Sequence, residues 1–188
     1  AREYERAHDM RRAVLGPGDE DCARGLLNIG GLLIKRGRLE YARTRLMEGL
    51  RIVRRNHQAE RHTLEARLLA LLAAVRLRQG RPATALRLYR SSLAIFVRRL
   101  GGGHAHVGIV LSDIAAAQSY LGSDAEAAAS YRRSADVLTH ALGSSHPAVA
   151  AAHHRGALCS GRAGDGDAMV ASLREAVGAY ALAGQGAS

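Results

Sequence analysis

Four glycines, Gly37, Gly80, Gly122 and Gly164, stand 43, 42 and 42 residues apart, and the residues around them repeat with them. Seven positions before each lies a small residue: Gly30, Ala73, Ala115 and Ala157. Five positions after come Ala42, Ala85, Ala127 and Met169, nine after come Leu46, Tyr89, Tyr131 and Leu173, and twelve after come Gly49, Ser92, Ser134 and Ala176. A chain that repeats on this scale builds itself from stacked supersecondary units, each burying a face against its neighbours. That constrains the fold more tightly than any other feature of the 188 residues.

The spacing inside each copy predicts two helices. Leu26, Ile29, Gly30 and Leu33 follow the i, i+3, i+4, i+7 pattern of one buried helical face. Gly37 then ends that helix, because glycine tolerates the left-handed conformation of a helix C-terminus. A second amphipathic helix runs through Ala42, Leu46, Gly49, Leu50 and Val53. Small residues on facing columns let the two helices approach closely. Pro82 and Pro147 suit first-turn positions, and Ser123 with Glu126 reads as a capping box. Composition agrees. Aromatic residues are 4%, so the core is aliphatic, and three prolines disfavour a turn-rich β fold. The expected class is all-α.

These columns resemble the tetratricopeptide repeat. Leu26-x-x-Ile29-Gly30-x-x-Leu33 and Ala85-x-x-x-Tyr89 are this chain's versions of its two helix signatures. The period exceeds that family's usual length and resembles its kinesin light chain-like subgroup. So do the linkers Leu15-Gly16-Pro17-Gly18-Asp19, Leu100-Gly101-Gly102-Gly103-His104 and Leu142-Gly143-Ser144-Ser145-His146-Pro147, and the second-helix segment Leu88 to Ile95. The resemblance implies a right-handed α-α superhelix of antiparallel helix pairs, a solenoid over 1–183. In that reading 1–19 is the second helix of a truncated repeat with its linker, since Tyr4 falls in the Tyr89/Tyr131 column. Four repeats follow at 20–60, 61–103, 104–145 and 146–183, giving nine helices, and 184–188 is a polar tail. The segment 56–61 lacks Leu-Gly and carries the one-residue insertion. The fourth repeat departs from the pattern, with Met169 for Ala and Gly156 where Leu72 and Ile114 stand. A first residue of Ala is expected of a piece cut from a longer protein.

The chemistry of most enzyme classes finds no foothold. Ser, His and Asp occur, but no Gly-x-Ser-x-Gly elbow or Cys–His signature gathers them. Gly101-Gly102-Gly103 follows no strand and precedes no Gly-Lys-Ser/Thr, so it reads as a linker rather than a phosphate loop. His104 and His146 share a linker column, which makes them helix-start residues rather than metal ligands. His153 shares a column with Leu26, Leu69 and Leu111, which predicts a core histidine. Cys22 and Cys159 stand alone, outside any metal or disulfide spacing, as in a reducing compartment. The longest apolar run, Leu68 to Val75, is too short to span a bilayer, and the opening residues carry no signal-peptide pattern. No catalysis, no metal, no cofactor, no membrane and a cytoplasmic location are the expectations.

What remains is a surface. The net charge is +10, with 22 basic against 10 acidic residues in 1–100 and 5 against 7 in 101–188. A basic half attracts acidic peptides, nucleic acid or anionic surfaces. Nucleic acid is the weaker match, because few aromatics are present for stacking. The compositional alternative is that Arg, 26 residues against one Lys, has drifted onto solvated faces. In the resembled fold, first helices line a concave groove. Helical geometry places Arg24, Leu27, Ile34 and Lys35 there from the first repeat, and Arg67, Leu77 and Arg78 from the second. Ser112 and Tyr120 come from the third and His154 and Arg162 from the fourth. Asn28 is the one Asn in a column otherwise holding Leu71, Asp113 and Arg155, so the carboxylate clamp of chaperone-type members is not matched. The expected function is a non-catalytic interaction scaffold within a larger protein. It binds a peptide or partner domain, acidic with an apolar anchor on Leu27, Ile34 and Leu77. A regulatory or sensor module of a multidomain signalling protein, and nucleic-acid binding, are the alternatives. Oligomeric state is not legible.

Overall fold

The computed structural model describes residues 19–55 and 62–185, together with Arg6, Met10 and Gly16. The expected orphan helix over 1–15 and the aberrant linker at 56–61 fall almost wholly outside these residues. The described residues form eight helices and no strand: α1 Glu20–Lys35, α2 Leu39–Arg55, α3 His62–Arg78, α4 Pro82–Leu100, α5 Ala105–Tyr120, α6 Asp124–Leu142, α7 Pro147–Arg162 and α8 Gly166–Gln185. The last helix runs two residues beyond the expected end of its repeat. The chain packs as two compact units, Ala1–Ile95 and Phe96–Ser188, divided within α4.

The turns inside the four pairs are copies of one another. Gly37, Gly80, Gly122 and Gly164 have φ of 72°, 70°, 79° and 82°, a region closed to most side-chain-bearing residues. Arg38 N donates to Leu33 O at 2.9 Å, and Gly37 N to Ile34 O at 3.1 Å. The same two bonds recur at Gly80, Gly122 and Gly164. This is the Schellman arrangement, which satisfies the last carbonyls of the first helix while reversing the chain.

Three of the first helices, α1, α5 and α7, also start alike. Asp19, His104 and His146 each sit in extended backbone and accept the amide two residues on: Asp21 N at 2.7 Å, His106 N at 3.1 Å and Ala148 N at 3.1 Å. The two histidines do so through Nδ1. Pro147 stands in the first turn of α7, where its missing N–H costs nothing. The expected capping box at Ser123 does not form. Its side chain makes no capping bond, and Glu126 instead accepts from Gln118 Nε2 at 3.1 Å. Gln118 also accepts from Ser130 Oγ at 2.7 Å. A tertiary link between α5 and α6 has taken the carboxylate that local sequence assigned to the cap.

Packing follows the columns. Ala42, Ala73, Ala85, Ala115, Ala127 and Ala157 have no exposed surface. A Cβ on Gly30 would collide with the Leu46 side chain, so the first pair needs glycine in the small column. The twelve-after column does more than permit approach. Ser92 Oγ donates to Ala66 O at 2.8 Å and Ser134 Oγ to Gly108 O at 2.7 Å, each tying a second helix to the first helix of its own pair. The aberrant fourth repeat is compensated. Met169 replaces alanine, and its sulfur lies 2.8 Å from where Gly161 would carry a Cβ, so volume gained on α8 is given up on α7. Gly156 likewise leaves room for Tyr131, whose Cβ is 3.2 Å from the equivalent point.

Candidate peptide-binding surface

Each first helix buries one side against its partner and leaves a narrow line of residues open. In α1 the open residues are Arg24, Asn28 and Lys35, with Gly31 half-buried; in α3 they are Arg67 and Arg78, with Ala70, Leu71, Ala74 and Leu77 half-buried. Leu27 and Ile34, expected as ligand contacts, are 3% and 6% exposed. They belong to the core of the first unit with Leu33, Leu64, Leu68 and Leu72. The reason is the neighbouring first helix: Leu71 Cδ1 comes within 3.9 Å of the Cβ position of Gly31, so α3 covers the flank of α1 that carries them. The apolar floor still reachable in this unit is Leu71, Ala74 and Leu77.

The cations differ in how free they are. Arg24 pairs with Glu20 at 2.8 Å and Asp21 at 3.7 Å. Arg78 Nη1 donates to Ile34 O at 2.9 Å, so it fastens the end of α3 to the end of α1. Gln79 Nε2 adds a bond to Glu40 Oε1 at 2.6 Å. Glu40 is held below the usual carboxylate range chiefly by its hydrogen bond from Arg43. Arg162 repeats the role of Arg78 in the second unit. Its Nη2 reaches Ser119 Oγ at 2.6 Å and Asp124 Oδ1 at 2.8 Å, and Ser119 stands in the column of Ile34. The hydrogen bond from Arg162 is the main cause that lowers the Asp124 carboxyl. Lys35 and Arg67 have no ion-pair partner among the described residues and are exposed.

In the second unit, Ser112 is half-buried and its hydroxyl lies 2.9 Å from Ser134 Oγ, so it serves the α5–α6 contact. His154 is exposed and Tyr120 is 74% exposed. With Ile109 at 44% and Leu158 at 49%, Tyr120 gives the open faces of α5 and α7 more accessible apolar surface than those of α1 and α3. The column read for a clamp holds the strongest electrostatic perturbation. Asp113 is pushed up to about 6 by burial, with the Arg155 guanidinium pulling the other way. Burial also raises the Tyr131 phenol, again against Arg155. Sequence spacing put Asp113 and Arg155 in one column but carried no sign that the carboxyl would lose its water.

Other expected sites resolve simply. Among the described residues, no three His, Cys, Asp or Glu side chains converge as metal ligands. Cys22 and Cys159 are buried and form no disulfide. His153 is half-buried rather than a core residue. It lines an open cleft of about 770 Å³ with Arg132, Asp136, His140 and Glu175, and these polar neighbours take the place of the leucine packing its column predicted. No described helix is long and apolar enough to cross a membrane.

Residues 64–140 match the family described as Tetratricopeptide repeat. Solved structures share the fold across nearly the whole chain. BtubC (BKLC) from P. vanneervenii is 17% identical with a TM-score of 0.81, over 95% of this chain and 71% of that one. A Podosopora anserina kinesin light chain protein with nearly identical TPR-like repeats is 18% identical with a TM-score of 0.74, over 95% and 84%. MamA is 13% identical with a TM-score of 0.68, over 96% and 88%. No curated protein matches the sequence. Residues 64–140 thus carry the tetratricopeptide repeat pattern, and the chain shares the fold of these solved repeat structures. Its fold is that of the kinesin light chain-like members, with their long second helices and Leu-Gly linkers. Folds of this class typically serve protein–protein contact.

Proposed function

We propose that the open face of α1 and α3 binds an acidic peptide segment of a partner protein. The observation that supports this is the pair of exposed cations, Lys35 and Arg67, without counter-ions among the described residues, beside the half-buried apolar strip Leu71, Ala74 and Leu77. Arg24 and the unused N–H groups of Arg78 extend the positive edge. Such rim charges mainly speed encounter and set salt dependence, while an apolar residue buried on the strip carries more of the affinity. Helix-lined grooves of this kind read a few anchors rather than a long sequence. The reading also keeps the chain non-catalytic and places its partner where acidic protein segments are free to reach it.

The test is a library of acidic peptides carrying one Leu or Phe, with a random DNA duplex as competitor. Lys35→Glu with Arg67→Glu is expected to weaken the best peptide on the order of tenfold or more at low salt and to flatten its salt dependence. Leu77→Asp is expected to weaken it at every salt concentration. If the duplex binds as tightly as the best peptide and the same double reversal abolishes that binding, the surface is a nucleic-acid site. If no acidic peptide binds, the assignment of this face is wrong.

A further inference from the structure

The cleft at His153 opens between two successive second helices, with α7 beneath. α6 supplies Arg132, Asp136 and His140 to one wall, and α8 supplies Ser172, Arg174 and Glu175 to the other. Its volume of about 770 Å³ falls within the range of small-molecule pockets. It shares no residue with the open face that carries Ile109, Tyr120 and Leu158. In the column of His153 the other repeats hold Leu26, Leu69 and Leu111, all buried; here a polar ring stands half-buried. Among the described residues the polar side chains of this cleft make no hydrogen bond or ion pair. Their positions explain why. Arg132 precedes Asp136 by one turn, the less favourable order for pairing, and Arg174 and Glu175 are sequence neighbours, which do not face each other on a helix. Elsewhere arginines find partners, as Arg43 with Glu40 and Arg162 with Asp124. Ser172 is the sharpest case. It is 7% exposed and its hydroxyl has no partner among the described residues, whereas the buried hydroxyls of Ser92 and Ser134 each bond a carbonyl. A buried hydroxyl costs free energy unless something bonds it.

We propose that this cleft binds a small zwitterion, a free amino acid or short peptide that carries both its ammonium and its carboxylate. The charges select that class. Two guanidinium groups and two carboxylates line one cleft without pairing. An anion alone would face Asp136 and Glu175, and a cation alone would face Arg132 and Arg174. A molecule with both signs answers both pairs. Arginine suits its carboxylate through two parallel N–H donors, and Asp136 and Glu175 accept from its ammonium. The His140 and His153 rings and the Ser172 hydroxyl remain for polar groups between the two ends. Arg132 and Arg174 stand 42 residues apart, so the repeat sets them at the same position on neighbouring second helices. The site has no residue in common with the open face of α1 and α3, so it stands or falls independently of the acidic-peptide reading.

The experiment titrates the chain with the free L-amino acids and with a panel of unblocked dipeptides, and follows amide shifts by NMR. The expected result is saturable binding with shifts confined to α6, α7 and α8. The strongest ligand is then compared with its N-acetyl and C-amide forms. Each is expected to bind on the order of tenfold weaker or worse, the loss of one charge-assisted contact. Arg132→Ala with Arg174→Ala is expected to remove the advantage of the free acid over the amide. Asp136→Asn with Glu175→Gln is expected to remove the advantage of the free amine over the N-acetyl form. These four side chains are exposed, so neither pair of changes is expected to move the melting midpoint much. His153→Leu restores the residue of the other repeats and is expected to abolish binding without loss of stability. Lys35→Glu with Arg67→Glu is expected to leave it unchanged. No shift in these helices with any probe at concentrations on the order of 10 mM overturns the proposal. So does a best ligand whose N-acetyl or C-amide form binds equally well, because the cleft then reads one charge alone.

Discussion

Glycine, alanine and serine do the specifying at the residue scale. Gly30 faces Leu46, which has no exposed surface and no room to withdraw. Gly30→Ala gains up to about 1 kcal/mol of helix propensity but forces a repacking that costs about 1–3 kcal/mol. The expected outcome is a net loss of stability in urea melts. Asp113 gives a second test, through pH. Its folded-state value of about 6 lies above the ordinary 3.8, so between these values the folded chain holds a proton that the unfolded chain releases. Stability from this group is present at low pH, falls as pH rises from about 4 to about 6, and stays level above that. Asp113→Asn is expected to remove the fall and to stabilise the chain near neutral pH by up to about 3 kcal/mol, the worth of a shift of this size. A melting midpoint of the variant below that of the parent at pH 7.5 would show that the ionised carboxylate is well served by Arg155.

Helices in this chain are defined at their ends by residues that recur and along their length by columns that do not tolerate size. The two histidine caps show how little the repeat demands at a helix start: one acceptor two residues before an amide. His146→Ala is expected to cost about 1 kcal/mol. His146→Asp, the residue type already used at Asp19, keeps the acceptor and adds a negative charge at the positive end of α7, for a gain of about 0.5 kcal/mol. Thermal melts of the two variants side by side decide the matter, and equal melting would mean that the cap bond contributes nothing. Pairing between helices is handled by buried hydroxyls. Ser92→Ala removes the Ala66 O contact without changing the fold of either helix, and about 1 kcal/mol is the expected loss. The glycine turns, prolines and apolar columns were all legible in the repeat. The loss of the Ser123–Glu126 capping box to Gln118 was not, because a carboxylate has more than one amide or amine within reach and only tertiary neighbours select among them.

For the molecule as a whole, stability in a repeat protein is close to a sum of pair and nearest-neighbour terms. Within the second unit that arithmetic leaves α8 at a disadvantage. It touches α7 on one side, and its Val177 and Tyr180 side is uncovered. Hydrogen exchange is therefore expected to be faster along α8 than along α6, whose equivalent stripe lies under α7. Equal protection of the two helices would contradict the neighbour-sum picture for this unit. Charge is also organised at this scale. Of the 27 basic residues, 22 fall in 1–100, and several pair along their own helices, as Arg43 with Glu40 and Arg45 with Glu48. Exposed pairs of this type contribute little stability, so the excess of arginine bears on which partners approach more than on the fold.

By itself the sequence determined the class, the pairing of helices, the turns and the columns that meet, because each is a local or strictly periodic property: a left-handed glycine, a small residue at a fixed distance from it, an apolar face at helical spacing. It also placed Lys35, Arg67 and Tyr120 on open faces, since a polar or oversized residue in an exposed column has nowhere else to go. What it could not determine is how far a neighbouring helix reaches over a flank. Leu27 and Ile34 have the right angular position for a groove, yet α3 covers them. Arg78 and Arg162 have the right charge, yet each is fastened to the turn of the preceding pair. Burial raises Asp113 although its column gives no hint of it. In each case the deciding quantity is the distance between side chains far apart in the chain, and only the tertiary structure sets that distance.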